Sequence, residues 1–518
     1  MPHDLDRILE VTALAPKAWR EAVGIDAPPY PFWWFLHTRI GHLVREAGGP
    51  PLEVDARRPP HEKLDPDLPG FGGASRLLFP VYRRFRALRH RGPRGAAAPG
   101  SVLVMLPHRG WPKDHLPENN LHLGPVVRAL GARGERMAFA WSTPHAAGVP
   151  GGVGWLGGYW DRAAGQAFRE AEAVLRRRFA DAAAPADLGF DVPEPKAAWF
   201  LRRLRTMVPT MAIHAGHLVA AARMLNAVQP RTVLLTMEGE PAMRALVASA
   251  SALDIPTVAV QNCWISPTST GYLFASPRRA RDARVSVAMP DRFAAWGEWF
   301  GDLLTTRGAW GDRVEVTGAP RYDALLWMDR GEARRELRRR AGWGEEERVV
   351  LWMTQTHGIP PEETQRNIEA MARLLPAGGF RLAVKLHPVE PPEHPYGPLQ
   401  ALGAHVLESK DAVAAMAGAD VVLVRHSTTA IEASLLRVPI VLLDLTRDKD
   451  VHVFARLGLG RPARDEAGLL AEIERAFAAE PGSPLRDPAR ARPFSDNADG
   501  GATARVIALV DAVREAHP

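Results

Sequence analysis

Residues 421–443 read VVLVRHSTTAIEASLLRVPIVLL, and this stretch decides the fold. Four apolar residues, Val421 to Val424, end at Arg425-His426. The hydroxyl residues Ser427, Thr428 and Thr429 then open a segment with helical spacing, and Val438-Pro439 leads into a second apolar run, Ile440 to Leu443. A short apolar run, a helical pattern and another apolar run spell a buried parallel strand, its crossover helix and the next strand. At such a strand-to-helix turn the hydroxyls and the first-turn amides aim at one spot, which suits a phosphate. Glu432, about one turn further in, is placed to accept from a ribose diol. A Ser or Thr capping its own helix explains one of these hydroxyls, but neither the preceding Arg-His nor the Glu.

The same rhythm precedes this unit in RVVLWMTQ (348–355), FRLAVKLHP (380–388) and AHVLES (404–409). Ligands of open α/β sheets bind beyond the carboxyl ends of strands. The candidate nucleotide-binding set is therefore Thr354, Gln355, Lys385, His387, Pro388, His426, Ser427, Thr428, Thr429 and Glu432. His387 suits an anion when held as a donor, and Pro388 locks the backbone beside it.

A second alternating series lies upstream: SVLVML (101–106), long helical patterns near 162–182 and 196–228, RTVLLTM (231–237), a helix near 241–253, PTVAVQ (256–261), FAAWG (293–297) and DRVEVTG (312–318). The expected fold class is α/β, with two Rossmann-like doubly wound lobes. The expected domains are an N-terminal helical extension without strands (1–98), a first lobe (99–330), a second lobe (345–485) and a tail (486–518) whose last helix packs back on the first lobe. If the chemistry takes a proton from a second substrate's hydroxyl, the expected base is a His, Asp or Glu at a strand end of the first lobe. His108, Asp114, His115, Glu118, Glu238 and Glu240 stand there, and His108, His115 and Glu238 are the catalytic candidates. Asp114, His115 and Glu118 share one short loop without a second cluster, so no metal is expected. Cys263 reads as a small packed residue.

Composition narrows the function classes. The chain has 518 residues, 46% of them hydrophobic, enough for more than one core. Its single cysteine excludes an intrachain disulfide. The net charge of +6 comes from a basic set that is nearly all Arg, without interleaved stacking aromatics or zinc spacing, so nucleic acid is not an expected partner. The start lacks a signal-peptide pattern, and no apolar run reaches the roughly 18 residues of a membrane span, so the expected location is the cytoplasm. LLFPVYRRFRALRHRGPRG (77–95) mixes apolar and basic residues in a way that fits peripheral contact with an anionic membrane face. The preferred reading is a solvated helix with its apolar stripe on a neighbouring domain.

The 421–443 run resembles the donor-binding element of nucleotide-sugar GT-B glycosyltransferases, with Arg437-Val438-Pro439-Ile440 in place of their Gly-x-Pro-hydrophobic turn. VKLHP (384–388) resembles the His-Pro motif of bacterial capsule glycosyltransferases, including Kdo and sialic-acid transferases, and of CDP-glycerol glycerophosphotransferases. Residues 296–325 are similar to the interlobe segment those groups share with UDP-GlcNAc 2-epimerases. Together the resemblance covers about 231–480. It implies a metal-independent transferase that moves a sugar from a CMP- or UDP-linked donor to a surface-polysaccharide, lipid-linked or other glycan acceptor. By it, His387 would contact the donor phosphate or nucleotide, Ser427 and Thr428 the phosphates, and Glu432 the ribose. Polyol-phosphate transfer from CDP-glycerol, epimerisation of a UDP-sugar and non-catalytic nucleotide binding are the alternatives. Epimerisation is weakened because the Gly-Thr-Arg-Pro-Glu start and the His-Val-Glu-Ala-Gly segment of those enzymes are missing. Where relatives often carry Gln-His-Gly, this chain has Gln261-Asn262-Cys263, so that catalytic histidine does not transfer.

Overall fold

A computed structural model describes residues 5–24, 30–32, 40, 43–44, 46–48, 99–107, 116–142, 151–266, 272, 289–308, 310–355, 359, 361–387, 390, 393–407, 412–446 and 451–517. Two compact units result. One takes the described residues up to Arg321 together with those from Thr503 onward, and the other takes Tyr322–Ala502. Each is a doubly wound α/β lobe around a parallel sheet, the fold class expected from the strand-helix rhythm.

The first lobe begins with β1 (Ala13–Leu14) and β2 (Tyr30–Pro31), a two-residue antiparallel pair that the strandless reading of the N-terminus missed. Runs this short carry no alternation to detect. Its main sheet contains β3 (Val102–Leu106), β4 (Met137–Trp141), β5 (Gly152–Trp155), β6 (Thr232–Thr236), β7 (Thr257–Val260), β8 (Arg292–Ala295) and β9 (Val314–Val316), in the order β5-β4-β3-β6-β7-β8-β9, all parallel. All five side chains of β3 are buried, as a strand covered on both faces requires.

Helices Arg162–Asp181 and Glu194–Val228 form one covering layer. Ala164, Ala167 and Ala171 follow helical spacing and present small side chains to the cluster. Ile8, Trp19 and Val23, from the helices Leu5–Thr12 and Lys17–Val23, join the same cluster, and the Trp19 indole donates to Ser249 Oγ at 3.3 Å. The described N-terminal residues therefore belong to this lobe's core instead of forming a separate extension, because their apolar faces are buried there. Helix Ala502–Glu515 joins the other core layer: Val506, Ile507, Val510 and Val513 cluster with Val102, Val104, Phe139 and Trp141. Arg514 pairs with Glu135 at 3.0 Å at its end.

The second lobe contains β10 (Val349–Met353), β11 (Arg381–Lys385), β12 (His405–Leu407), β13 (Val421–Val424), β14 (Ile440–Leu443) and β15 (Arg461–Ala463), in the parallel order β12-β11-β10-β13-β14-β15. It extends past 345–485 on both sides. Helix Arg330–Ala341 is tied in by Arg338, which donates to Gly418 O at 3.1 Å and Asp420 Oδ2 at 2.7 Å. Downstream, Arg490 donates to Gly458 O at 2.9 Å, and the Asn497 amide donates to Asp323 Oδ1 at 2.7 Å. Charged and amide side chains, which apolar periodicity does not register, thus carry both extensions. Among the described residues no helix is long and apolar enough to cross a membrane. Residues 77–95 lie outside the described residues.

Candidate functional site

Numbered within its own lobe, each sheet runs 3-2-1-4-5-6, with one further strand in the first lobe. In that order the chain reverses direction between strands 1 and 4, and a crevice opens beyond their carboxyl ends. In the second lobe those strands are β10 and β13, so the residues after them, Thr354-Gln355 and Arg425-His426-Ser427, flank the switch point.

Thr354 and Gln355 tie the two neighbouring loops together. The His387 amide, two residues past β11, donates to Thr354 Oγ1 at 2.9 Å and to Glu390 Oε2 at 2.5 Å. The Thr354 hydroxyl donates to Glu390 in turn, and the Tyr396 hydroxyl donates to Glu390 Oε1 at 2.7 Å. Burial and the Glu390 carboxylate push the Tyr396 phenol far above the ordinary tyrosine range, so it remains a donor. Glu390 therefore shapes the loop that presents His387. On the other side, the Gln355 side-chain amide meets His426 Nε2 at 2.9 Å. The Lys385–Glu390 loop and the Arg425–Glu432 turn are thus joined through one dipeptide.

The state of His426 follows from its neighbours. Arg425 lies within 2.6 Å of His426 Nδ1 through its Nη1. A guanidinium only donates, so Nδ1 accepts and the ring is neutral with its proton on Nε2. Nε2–H then requires an acceptor, which the Gln355 amide supplies when its oxygen faces the ring; that oxygen is otherwise buried and unbonded. Arg425 is itself clamped by Glu363, Nε to Oε1 at 2.6 Å and Nη2 to Oε2 at 3.1 Å, with both side chains under 10% exposed. His426 is therefore held as an organiser across the switch point.

The hydroxyl run is arranged differently from a uniform phosphate cradle. Ser427 Oγ accepts from the Thr429 amide at 3.4 Å, a local turn that satisfies the simple capping reading. Helix Thr429–Leu435 is only seven residues long, and Thr428 already has helical dihedrals. Thr429 Oγ1 is buried without a hydrogen-bond partner among the described residues, an arrangement that costs free energy unless something fills it. Glu432 is half-buried on the next turn. Lys385 is 2% exposed, and its ammonium donates to Leu386 O at 2.7 Å, so it supports the loop backbone. Pro388 lies outside the described residues.

In the first lobe the switch point lies between β3 and β6. His108, Asp114 and His115 follow β3 and lie outside the described residues, whereas Glu118 is half-exposed in the 3₁₀ turn Pro117–Asn119. After β6, Met237 adopts φ 57°, a left-handed conformation uncommon for such a side chain, and its carbonyl accepts from the Glu240 amide at 2.8 Å. Glu240 occupies the N-cap of helix Pro241–Ala252 without a side-chain cap bond.

The strained turn carries Glu238, 6% exposed, whose carboxylate oxygens have no well-formed hydrogen bond among the described residues. Burial raises its affinity for a proton, opposed by the nearby Tyr272 hydroxyl, its own backbone amide and Arg244. Glu238 also acts on Cys263. That cysteine is exposed, contrary to the packed residue expected. Its crowded surroundings and the Glu238 carboxylate push the thiol up to about 11, against Arg321 and Asn262, so it stays protonated. Gln261, in contrast, is structural: it accepts from the Trp296 amide at 2.8 Å and the Trp296 indole at 2.7 Å. His122, which the sequence did not single out, is held neutral, its pKa lowered to about 3 by burial and Arg321.

No protein-family model and no curated protein matches the sequence. Among solved structures, the chain is similar to UDP-GlcNAc 2-epimerase from Methanocaldococcus jannaschii at 12% identity, over 79% of this chain and 99% of that one, with a TM-score of 0.47. It is similar to UDP-GlcNAc 2-epimerase from Neisseria meningitidis bound to UDP-GlcNAc at 13% identity, over 79% and 100%, with a TM-score of 0.47. A third is the wall teichoic acid polymerase TagF, H548A, at 10% identity, over 84% and 98%, with a TM-score of 0.45. At such distances the chemistry has to be argued from this chain's own residues.

Four residues of the candidate site escaped the sequence reading: Glu363, Glu390, Tyr396 and Tyr272. Only Glu390 left a local signal, a carboxylate three residues after His387 in KLHPVE.

Proposed function

We propose that this chain is a GT-B glycosyltransferase that binds the nucleotide-activated sugar at the switch point of its second lobe. The observation that carries the reading is the joined pair of loops beyond β10, β11 and β13, where the buried Thr429 hydroxyl lacks a partner among the described residues. A donor phosphate oxygen would accept from that hydroxyl, and Glu432 would accept from the ribose. In an inverting transfer, the acceptor hydroxyl oxygen attacks the anomeric carbon. The bond from that carbon to the phosphate oxygen breaks, and its electron pair leaves with the nucleotide. Glu238 is the base that takes the acceptor proton: its raised proton affinity brings a carboxylate nearer to working pH. The chain's resemblance to His-Pro transferases supports a CMP- or UDP-linked sugar and a glycan or lipid-linked acceptor, with no metal called for.

Thermal-shift titration with CMP, UDP and their sugars, followed by turnover with labelled donors, tests the reading. A shift with one nucleotide class, reduced at least tenfold in affinity by Thr429→Val without loss of melting temperature, supports it. Phosphoglycerol transfer from labelled CDP-glycerol would move the assignment to polyol-phosphate transfer. No shift with any nucleotide would sink it.

A further inference from the structure

The amino-terminal edge of the second lobe's sheet carries a pocket that the transferase reading does not use. It has a volume of about 710 Å³ and is lined by Arg330, Arg334, Arg437 and Arg486 with Asp420 and Asp487. Asp420 immediately precedes β13 and Arg437 lies just before β14. About 13 Å of strand therefore separates this pocket from the loops at the other end of the same strands.

The charge balance is uneven. Asp420 is committed to Arg338 at 2.7 Å and to Arg334. Arg330, Arg437 and Arg486 form no ion pair among the described residues. Arg330 instead donates to backbone carbonyls: Ala417 O at 3.1 Å, Ala419 O at 2.9 Å and Arg437 O at 3.3 Å. Arg486 donates to Ala479 O at 2.8 Å and Arg437 O at 3.4 Å. Neutral carbonyls orient guanidiniums without cancelling their charge. Burial, and after it the like charges of Arg486, Arg334 and Arg437, lower the Arg330 pKa to about 10.

Arg437 makes the cluster unusual. Its backbone has φ 58°, a region where a side chain is strained and glycine is at ease. That conformation turns its carbonyl to both Arg330 and Arg486, while its own guanidinium stays exposed at the pocket. A glycine would supply the same turn and carbonyl without strain. What arginine adds is its guanidinium.

We propose that this pocket is a second anion site, built for a small ligand bearing a diphosphate group. The four lining arginines outnumber the lining carboxylates Asp420 and Asp487, and although Glu480 also acts on Arg486, the pocket keeps a net positive charge suited to a diphosphate. The exposed Arg437 offers its planar fork for paired bonds to phosphate oxygens, while Arg330 and Arg486 add charge and their remaining N–H groups. The volume lies in the range of small-molecule sites.

Isothermal titration of the full chain with inorganic pyrophosphate tests this, with Arg437→Gly as the decisive variant. Glycine preserves the left-handed turn, so the fold is expected to melt at the same or a higher temperature while pyrophosphate affinity falls at least tenfold. Thr429→Val, at the opposite end of the strands, should leave this binding event unchanged. A parallel titration with a nucleoside diphosphate separates sources: tighter binding than pyrophosphate, equally sensitive to Arg437→Gly, assigns a nucleotide, and weaker binding assigns free diphosphate. Pyrophosphate binding that Arg437→Gly leaves intact, binding that only Thr429→Val removes, or no binding to the unaltered chain refutes the site. None of these outcomes depends on the strand-end site being a transferase centre.

Discussion

Replacing Glu363 by alanine would remove the carboxylate that clamps Arg425 and leave a guanidinium only 8% exposed without its counter-ion. Breaking a buried ion pair from one side costs about 3–5 kcal/mol, most of it the stranded charge. For a lobe of this size each kcal/mol moves the melting temperature by roughly 2–4 °C, so Glu363→Ala should melt about 6–20 °C lower. The double variant Glu363→Leu/Arg425→Met replaces the pair by apolar groups of similar bulk and should recover most of that loss. It should not recover nucleotide binding, because Arg425 Nη1 also fixes the His426 tautomer that meets Gln355. Differential scanning calorimetry measures the first effect, and nucleotide titration at a temperature where all variants are folded measures the second. A single variant melting within 2 °C of the unaltered chain would refute the clamp, and a double variant that binds nucleotide normally would refute its link to the site.

Glu238→Gln should stabilise the first lobe at neutral pH while abolishing turnover. A buried carboxyl whose folded pKa lies above the unfolded value binds more protons when folded, so its penalty is present at high pH and fades as pH falls toward 4.5; melting curves at pH 4.5 and 7 check this. His122 has the complementary sign: with a folded pKa near 3 against 6.5, its contribution is complete above 6.5 and is lost as pH falls from there toward 3. His122→Gln should flatten that part of the stability–pH curve. Tyr396→Phe removes one hydrogen bond to Glu390 and should cost about 1 kcal/mol, whereas Glu390→Ala releases the His387 loop as well and should raise the donor KM at least tenfold, read from initial rates.

Much of the architecture is legible in local chemistry. The buried runs Val102–Leu106, Val349–Met353 and Val421–Val424 are continuous and apolar because both faces of a parallel sheet are covered, and that pattern survives in one dimension. Helix limits are equally local: Asp161 caps Arg162–Asp181 by accepting from the Ala164 amide at 2.9 Å. Because ligands bind after strand ends, reading the residues after each run singled out Thr354, Gln355, His387, His426 and Glu238 as candidates.

Partners brought together by folding are a different matter. Glu363 reaches Arg425 across 62 positions, Tyr396 completes a network begun at Thr354, and the arginine pocket collects side chains from 330, 437 and 486. No spacing rule links these, since crossover connections decide which strand ends become neighbours. Amino-acid order determined which side chains stand after which strands. Which of them are satisfied by one another, which lack a hydrogen-bond partner among the described residues, as the Thr429 hydroxyl does, and where like charges crowd are decided only when the sheet assembles, because hydrogen bonds and Coulomb forces act through space and not along the chain.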